Sequence, residues 1–286
     1  MPQSINEIKA KITSMKSMSK ITKAMQMVSV SKRTKTDSKV RNFESFIQTF
    51  DSIMGGIYAI SGVEEHVFFS PKKAKRCTAY LTITSDRGLA AGYNNNVLRL
   101  LGQEIEGLTE DEYKLYMVGS KGYDFARRLK LPVENKYVFV PDDLIYMDIE
   151  PVLNQMLSDY LNGKVDGVVV IYNNYVTQLV QEATIKRILP LEKKTGCKRC
   201  TNVYIYEPTE TEIIESALLK YLDATIYGIV LTAKLSEHAA RMNAMQNATD
   251  NANEIIKDTQ LIYNKARQAA ITQEINEIVG GAMALQ

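Results

Sequence analysis

From Thr209 to Val279 the chain runs for about seventy residues without a proline, and Gly228 is the only glycine in that stretch. Proline removes an intrahelical donor and glycine costs backbone entropy inside a helix, so a run nearly free of both can stay helical throughout. At 1.5 Å per residue such a helix would span roughly 105 Å. That is too long for the core of one compact domain, so it must lean on another helix or on other chains. Leu235, His238, Met242, Met245, Thr249, Ala252, Ile256, Thr259, Tyr263 and Ala266 step by three and four, as a coiled-coil seam does. Many of these residues are small or polar, which allows close approach but weakens the seam. The expectation is a coiled coil supported by a surrounding partner. Thr209-Glu210-Thr211-Glu212, after Pro208, has the form of a capping box, and Gly280-Gly281 is expected to fray the far end.

A second long helix is predicted at the start of the chain. Ser4-Ile5-Asn6-Glu7 is another capping-box pattern. Ile5, Ile8, Ile12, Met15, Met18, Ile21, Met25 and Val28 then recur on one helical face. From Ser31 to Lys39 there is no apolar residue, so this stretch reads as solvated helix or a break. The pattern resumes at Val40, Phe43, Ile47, Phe50 and Ile53 and stops at Gly55-Gly56. One helix over about 4–54 is the reading. Because these helices flank one globular insert, their simplest pairing is antiparallel.

The middle changes period. Strands are predicted at Cys77–Thr84, Tyr113–Val118, Val165–Tyr172, Leu179–Ile188 and Val203–Tyr206, with a short extended piece at Tyr137–Val140. Asn173-Asn174 is the expected turn between the third and fourth strands. Helices are predicted at about 95–106, from Gly119 to about Lys130, and from a cap at Asp142 or Asp143 to about Asn162. Strands alternating with helices give an α/β sandwich with a largely parallel sheet. The expected organisation is an N-terminal coiled-coil helix over 1–56, a central α/β domain over 57–208 and a C-terminal coiled-coil helix over 209–286.

Among the 286 residues, hydrophobic content of 45% and charged content of 24% are ordinary for a globular protein. Net charge is +2 and points to no partner, but residues 1–41 hold ten basic residues against Glu7 and Asp37. Such a basic arm suits acidic surfaces or nucleic acid. Nucleic-acid binding by this arm should interleave aromatics for stacking, and none occurs before Phe43. No 18-residue apolar run exists, so no membrane span is expected. The N-terminus lacks the apolar block of a signal peptide. Three cysteines, Cys77, Cys197 and Cys200, fit a reducing compartment without structural disulfides.

Motifs for chemistry are weak. Ser85-Asp86-Arg87-Gly88 and Gly119-Ser120-Lys121-Gly122 each follow a strand and precede a helix, where nucleotide-binding folds hold phosphate. Neither has a dinucleotide or P-loop spacing. Asp86 and Arg87 read better as organisers of the turn or as contacts to a neighbouring subunit. His66 and His238 have no metal-ligand spacing, and His238 reads as a packing histidine. Cys197-Lys198-Arg199-Cys200 lacks two further zinc ligands. No catalytic residue, cofactor or metal is expected.

Four separated motifs, in order, carry a resemblance. They are Lys20-Ile21-Thr22-Lys23-Ala24-Met25-Gln26-Met27-Val28, Ser85-Asp86-Arg87-Gly88-Leu89, Leu235-Ser236-Glu237-His238-Ala239-Ala240-Arg241-Met242, and Tyr263-Asn264-Lys265-Ala266-Arg267-Gln268-Ala269-Ala270-Ile271-Thr272. The closing Glu277-Ile278-Val279-Gly280-Gly281-Ala282 fits the same pattern. The chain resembles the gamma subunit of bacterial F-type ATP synthase over essentially its whole length. One departure is Ala90-Ala91, where that family usually has Cys or Gly.

The resemblance implies a central rotor stalk. Its N- and C-terminal helices would form a long antiparallel coiled coil inside a hexamer of alpha and beta subunits. A central Rossmann-like α/β domain would sit at the foot, against the epsilon subunit and the c-ring. The chain would then lie on the cytoplasmic face of the bacterial plasma membrane, peripheral to it. It would couple proton-driven rotation to ATP synthesis at the beta subunits, without a catalytic site of its own. Carried over by position, the implied subunit contacts are Lys20, Lys23, Met25, Asp86, Arg87, Arg241, Arg267, Gln268 and Thr272. Arg267 and Gln268 could latch a carboxylate and a loop. Lys20, Lys23, Lys32, Arg33 and Lys35 would face acidic lever loops, with Met25 as a compact uncharged neighbour. The rival readings are an α/β enzyme dimerised by helical arms and a coiled-coil nucleic-acid protein. The enzyme reading needs a polar cluster at the sheet's C-terminal edge.

Overall fold

The computed structural model describes residues 4–58, 66–70, 77–191 and 210–283. The chain forms two compact units, Met1–Ser29 with Met242–Gln286, and Val30–Arg241. The expected strand at Val203–Tyr206, the Cys197/Cys200 pair and the cap at Thr209 lie outside the described residues.

The two long helices exist. Helix α1 spans Ile5–Tyr58 and helix α5 spans Glu210–Met283. Ser4 caps α1 as predicted: its Oγ accepts the Glu7 amide at 3.2 Å, and Glu7 Oε2 accepts the Ser4 amide at 3.1 Å. Neither glycine pair acts where expected. Helix α1 continues past Gly55-Gly56, and α5 continues past Gly280-Gly281. The polar stretch 31–39 does not interrupt α1 either.

In the first unit the helices run antiparallel, since Ser19 meets Asn253, Thr22 meets Thr249 and Gln26 meets Gln246. The α5 seam follows the expected positions, with Met242, Met245, Thr249, Ala252 and Thr259 buried. The α1 stripe needs correction. Ile8 and Ile12 are buried and Met15 is half-buried, but Met18, Ile21 and Val28 are exposed. Thr22 and Ser29 are buried instead. From Ile8 the inward positions advance by sevens through Met15, Thr22 and Ser29, a heptad rather than a count of apolar residues. Thr22 and Ser29 can go inward because each hydroxyl bonds back to its own helix, to the Met18 and Met25 carbonyls at 3.1 and 2.9 Å.

In the second unit five strands form one sheet in the order β3-β2-β1-β4-β5. They are β1 (Thr78–Ile83), β2 (Tyr113–Val118), β3 (Val133–Tyr137), β4 (Gly167–Tyr175) and β5 (Gln181–Leu189). All neighbouring pairs are parallel except β4 with β5. Between them run α2 (Tyr93–Ile105), α3 (Ser120–Arg128) and α4 (Tyr146–Leu161). Strand alternation sorts the core into two layers. Tyr80, Leu115, Met117, Val169 and Ile171 pack with Val97 and Leu101 of α2 and Ala126 of α3. Ala79, Leu81, Tyr116, Val168 and Val170 face the other side. There they join Ile149, Val152, Leu153 and Met156 of α4 and Leu218, Leu222, Ile226 and Ala233 of α5. Here too α1 and α5 pair antiparallel: the Phe43 ring packs edge-on against Tyr227, and Phe50 lies beside Tyr221.

Three local readings are corrected. Of the extended piece expected at 137–140 only Tyr137 is strand, the last residue of β3, which begins at Val133; beyond it the chain turns, and Phe139 takes φ 62°. Asp142 and Asp143 do not cap α4. They pair with Lys32 and Lys39 of α1, and the α4 entry is held by Asp148 Oδ2 accepting the Ile145 amide at 2.9 Å. Asn173-Asn174 lies within β4, and the turn is Val176–Val180. Asn173 is buried because its Nδ2 donates to the Tyr93 carbonyl at 2.7 Å.

Candidate functional site

The ends of β1 and β2 bring together two of the sequence motifs. In this strand order the chain reverses direction beside β1, the place where open α/β sheets hold ligands. Here the first turn of α3 beside it is occupied by the chain itself. Asp86 projects from the turn after β1, and its Oδ1 accepts the Ser120 amide at 2.8 Å and the Ser120 hydroxyl at 2.6 Å. It also accepts the Phe139 amide at 2.9 Å and, through Oδ2, the Val140 amide at 2.7 Å. Burial pushes this carboxyl up, but the bonds from Ser120, Phe139 and Val140 outweigh it and hold it below the usual carboxylate range. Asp86 thus sits at the N-terminus of α3, a kind of position that in other folds can hold a phosphate. It also explains the turn at Phe139.

Gly119 is required by the same geometry. Its φ is +94°, and a Cβ there would lie 2.2 Å from the Thr84 carbonyl oxygen. Thr84 Oγ1 in turn donates to the Val118 carbonyl at 3.0 Å and accepts the Gly122 amide at 2.8 Å.

Arg241 locks the turn from the α5 side. It is buried, with Nη2 on the Arg87 carbonyl at 3.2 Å and Nε on the Gly88 carbonyl at 3.3 Å. Its Nη2 also pairs with Glu237 Oε1 at 2.9 Å, while Lys234 Nζ holds Glu237 Oε2 at 3.2 Å. Tyr93 donates its hydroxyl to the Ala233 carbonyl at 2.9 Å. Complete burial, with Glu237 adding to it, drives that phenol far above its ordinary range. Helix α5 therefore stands across the end of the sheet. Of the predicted residues here, Asp86 and Arg241 are committed to internal bonds and the Arg87 side chain is exposed. Sequence reasoning missed Lys234, Glu237, Tyr93, Thr84 and Asn173. The spacing of Lys234, Glu237 and Arg241 by three and four was visible, but such a pattern reads as a solvated helix face.

The remaining predicted residues lie in the other unit. Lys20 and Lys23 are exposed and Met25 is half-buried. Lys23 Nζ donates to Gln26 Oε1 at 3.0 Å, Gln26 bonds Gln246, and Gln246 Nε2 donates to Asp250 Oδ2 at 2.7 Å. A polar chain thus crosses the seam beside Met25. Arg267, Gln268 and Thr272 are all exposed. Thr272 Oγ1 donates to the Gln268 carbonyl at 2.9 Å. One helical turn separates Gln268 from Thr272, so these two share a face, whereas Arg267 points about 100° away from Gln268. Among the described residues no group of three or more His, Cys, Asp or Glu could hold a metal, and no helix is long and apolar enough to cross a membrane.

A family model described as ATP synthase matches residues 4–285. A chain in the central stalk and c-ring structure of the Tetrahymena thermophila mitochondrial ATP synthase superposes with a TM-score of 0.64 at 25% identity. That match covers 80% of this chain and 99% of the other. Chains from two structures of the Euglena gracilis mitochondrial ATP synthase share the fold at 20% identity. One, from the assembly with OSCP, F1 and c-ring, gives a TM-score of 0.70 and covers 98% of this chain and 94% of its own. The other, from the rotor, gives 0.66 and covers 93% and 98%.

Proposed function

This chain belongs to the ATP synthase gamma-subunit family, and on that premise we propose that it is the rotor of a bacterial F-type ATP synthase. In this reading the two coiled-coil segments, 1–56 and 209–286, turn inside an alpha3beta3 hexamer. The α/β segment, 57–208, transmits rotation from a proton-driven c-ring and meets the epsilon subunit. The chain is peripheral to the cytoplasmic face of the plasma membrane and carries no catalytic site; ATP forms on the beta subunits. The observation that carries the reading is the family match across residues 4–285.

The surfaces support roles for particular residues. Exposed Lys20 and Lys23 guide acidic loops of beta, with half-buried Met25 nearby on the same helix as an uncharged bearing. Single exposed ion pairs contribute little at physiological salt, so torque passes chiefly through shape. Exposed Arg267, Gln268 and Thr272 offer donors and acceptors to the upper part of the hexamer. Arg87 reaches a neighbouring subunit from the turn that Asp86 and Arg241 hold rigid. The exposed apolar residues Met18, Ile21 and Val28 on α1, with Leu261, Ile262 and Ile275 on α5, suit a surrounding sleeve.

The test is purification of the chain from detergent-solubilised membranes. Alpha, beta, epsilon and c subunits are expected to accompany it, and the isolated chain should show no ATPase activity and no micromolar ATP binding by calorimetry. Recovery of the chain without those subunits, or with a tight ATP site, would overturn the proposal.

A further inference from the structure

The charged turn of α5 contains one group that none of these contacts uses. His238 is 1% exposed, and neither imidazole nitrogen has a hydrogen-bond partner among the described residues. A neutral imidazole carries one donor and one acceptor, so burying both unsatisfied opposes folding. Charge surrounds it from several elements. On α5 itself stand Lys234, Glu237 and Arg241, with Glu237 bonded to both cations. From the segment between β3 and α4 comes Asp142, whose Oδ1 lies 3.9 Å from His238 Nε2, beyond hydrogen-bonding range. From α1 comes Lys32, whose Nζ holds the other oxygen of Asp142 at 2.6 Å. The Tyr93 hydroxyl, from α2, is already donated to Ala233. Three cations, Lys32, Lys234 and Arg241, therefore stand against two carboxylates, Glu237 and Asp142, before His238 takes up a proton.

We propose that His238 is a proton-operated release for the segment between β3 and α4. Neutral, it leaves Asp142 to Lys32, which pins that segment to α1. Protonated, it adds a fourth cation to a buried set that already carries an excess, which disfavours the closed arrangement and frees the segment that carries Asp142. The same segment supplies the Phe139 and Val140 amides to Asp86, so its loosening is felt at the end of the sheet.

The direction with pH follows from burial. Burial lowers the imidazole pKa, Glu237 and Asp142 raise it, Lys234 and Arg241 lower it, and it comes to about 4. An opened or unfolded chain would titrate at about 6.5. The folded contribution is therefore complete above about pH 6.5 and is lost as pH falls toward about 4. Asp142 keeps its charge through that window. Burial raises its carboxyl, but the hydrogen bond and charge of Lys32 lower it by more.

The test is amide hydrogen exchange on the full-length chain at pH 7 and pH 5, corrected for intrinsic exchange. In the unmodified chain, opening of residues 138–145 should rise about twentyfold, the ratio that linkage gives between pKa values of about 4 and about 6.5. In His238→Gln, which is polar but does not titrate, the rise should stay within about twofold. An equal rise in both chains would overturn the proposal. If His238→Gln folds poorly, NMR titration of the unmodified chain decides instead. His238 titrating well below the free imidazole's about 6.5 supports the release, and titration at about 6.5 overturns it.

Discussion

Helices α1 and α5 meet twice, and the two meetings are built from different chemistry. In Val30–Arg241 the contact is made by rings and aliphatic chains: Phe43 on Tyr227, Phe50 beside Tyr221, and Val40 and Met54 in the core under the sheet. In the other unit it is made by hydroxyls and amides, with Thr22 on Thr249 at 2.7 Å, Ser19 on Asn253 at 2.8 Å, and Gln26 on Gln246. Among the described residues of that unit, the buried apolar side chains are Ile8, Ile12, Met242, Met245 and Ala252. Five are too few to offset the ordering of the helices that carry them. One unit stores its stability in apolar burial against a sheet. The other has its register fixed by hydrogen bonds and depends on what surrounds it. A polar seam gives position at little cohesive energy, which suits the proposed role inside a surrounding hexamer.

The largest expected break in this contrast is Gly119→Ala. The added methyl meets backbone at a positive φ, so the loss should exceed about 3 kcal/mol, read as a fall in the chain's melting temperature. A variant as stable as the parent would mean that the end of the sheet is not packed as described. Next is Leu222→Ala, at a fully buried α5 position. Removing its branched end should cost about 2–5 kcal/mol by denaturant unfolding; less than about 1 kcal/mol would remove the distinction between the units.

A smaller effect sharpens the other side. Thr22→Val alone should cost about 1 kcal/mol, because it leaves the Thr249 hydroxyl without its cross-helix partner. The Thr22→Val, Thr249→Val pair should recover most of that, since both hydroxyls are replaced by methyls of the same shape. A double variant no better than the sum of the singles would show that this bond does not set register. The smallest effect on stability is expected from Arg267→Ala with Gln268→Ala. The melting temperature should not move, while ATP turnover of the assembled complex should fall by about tenfold, the value of one charge-assisted hydrogen bond. Unchanged turnover at normal assembly would return both side chains to a solvated helix face.

These contrasts also show what could be read in advance. The sheet was legible because β-branched runs such as Val168-Val169-Val170-Ile171 have few other solutions, and α5 because its stretch admits no breaker. The inward face of α1 was misread beyond Met15. Hydrophobicity pointed to Met18, Ile21 and Val28, which face outward, while Thr22 and Ser29 face α5. Counting by sevens from Ile8 would have found them. The contact role carried over to Arg241 is joined by an internal one that residue type could not reveal. A charged side chain reads as surface until its acceptors, here the Arg87 and Gly88 carbonyls, are brought to it from 154 and 153 residues away in sequence. The turn at Asn173 failed for a related reason, since its amide serves Tyr93 across the fold.

Asp86 has a thermodynamic consequence. A ligand stabilises a protein in proportion to the logarithm of its concentration once it exceeds the dissociation constant. With the Asp86 carboxylate fixed on the Ser120 amide at the start of α3 and on the Val140 amide, an incoming phosphate would have to displace a covalently tethered anion, which competes as an intramolecular partner. The folding free energy of Val30–Arg241 is therefore expected to depend little, through this site, on the concentration of ATP, ADP or phosphate. In the proposed rotor, this unit would then keep the same stiffness whether the nucleotide pool around it is charged or spent.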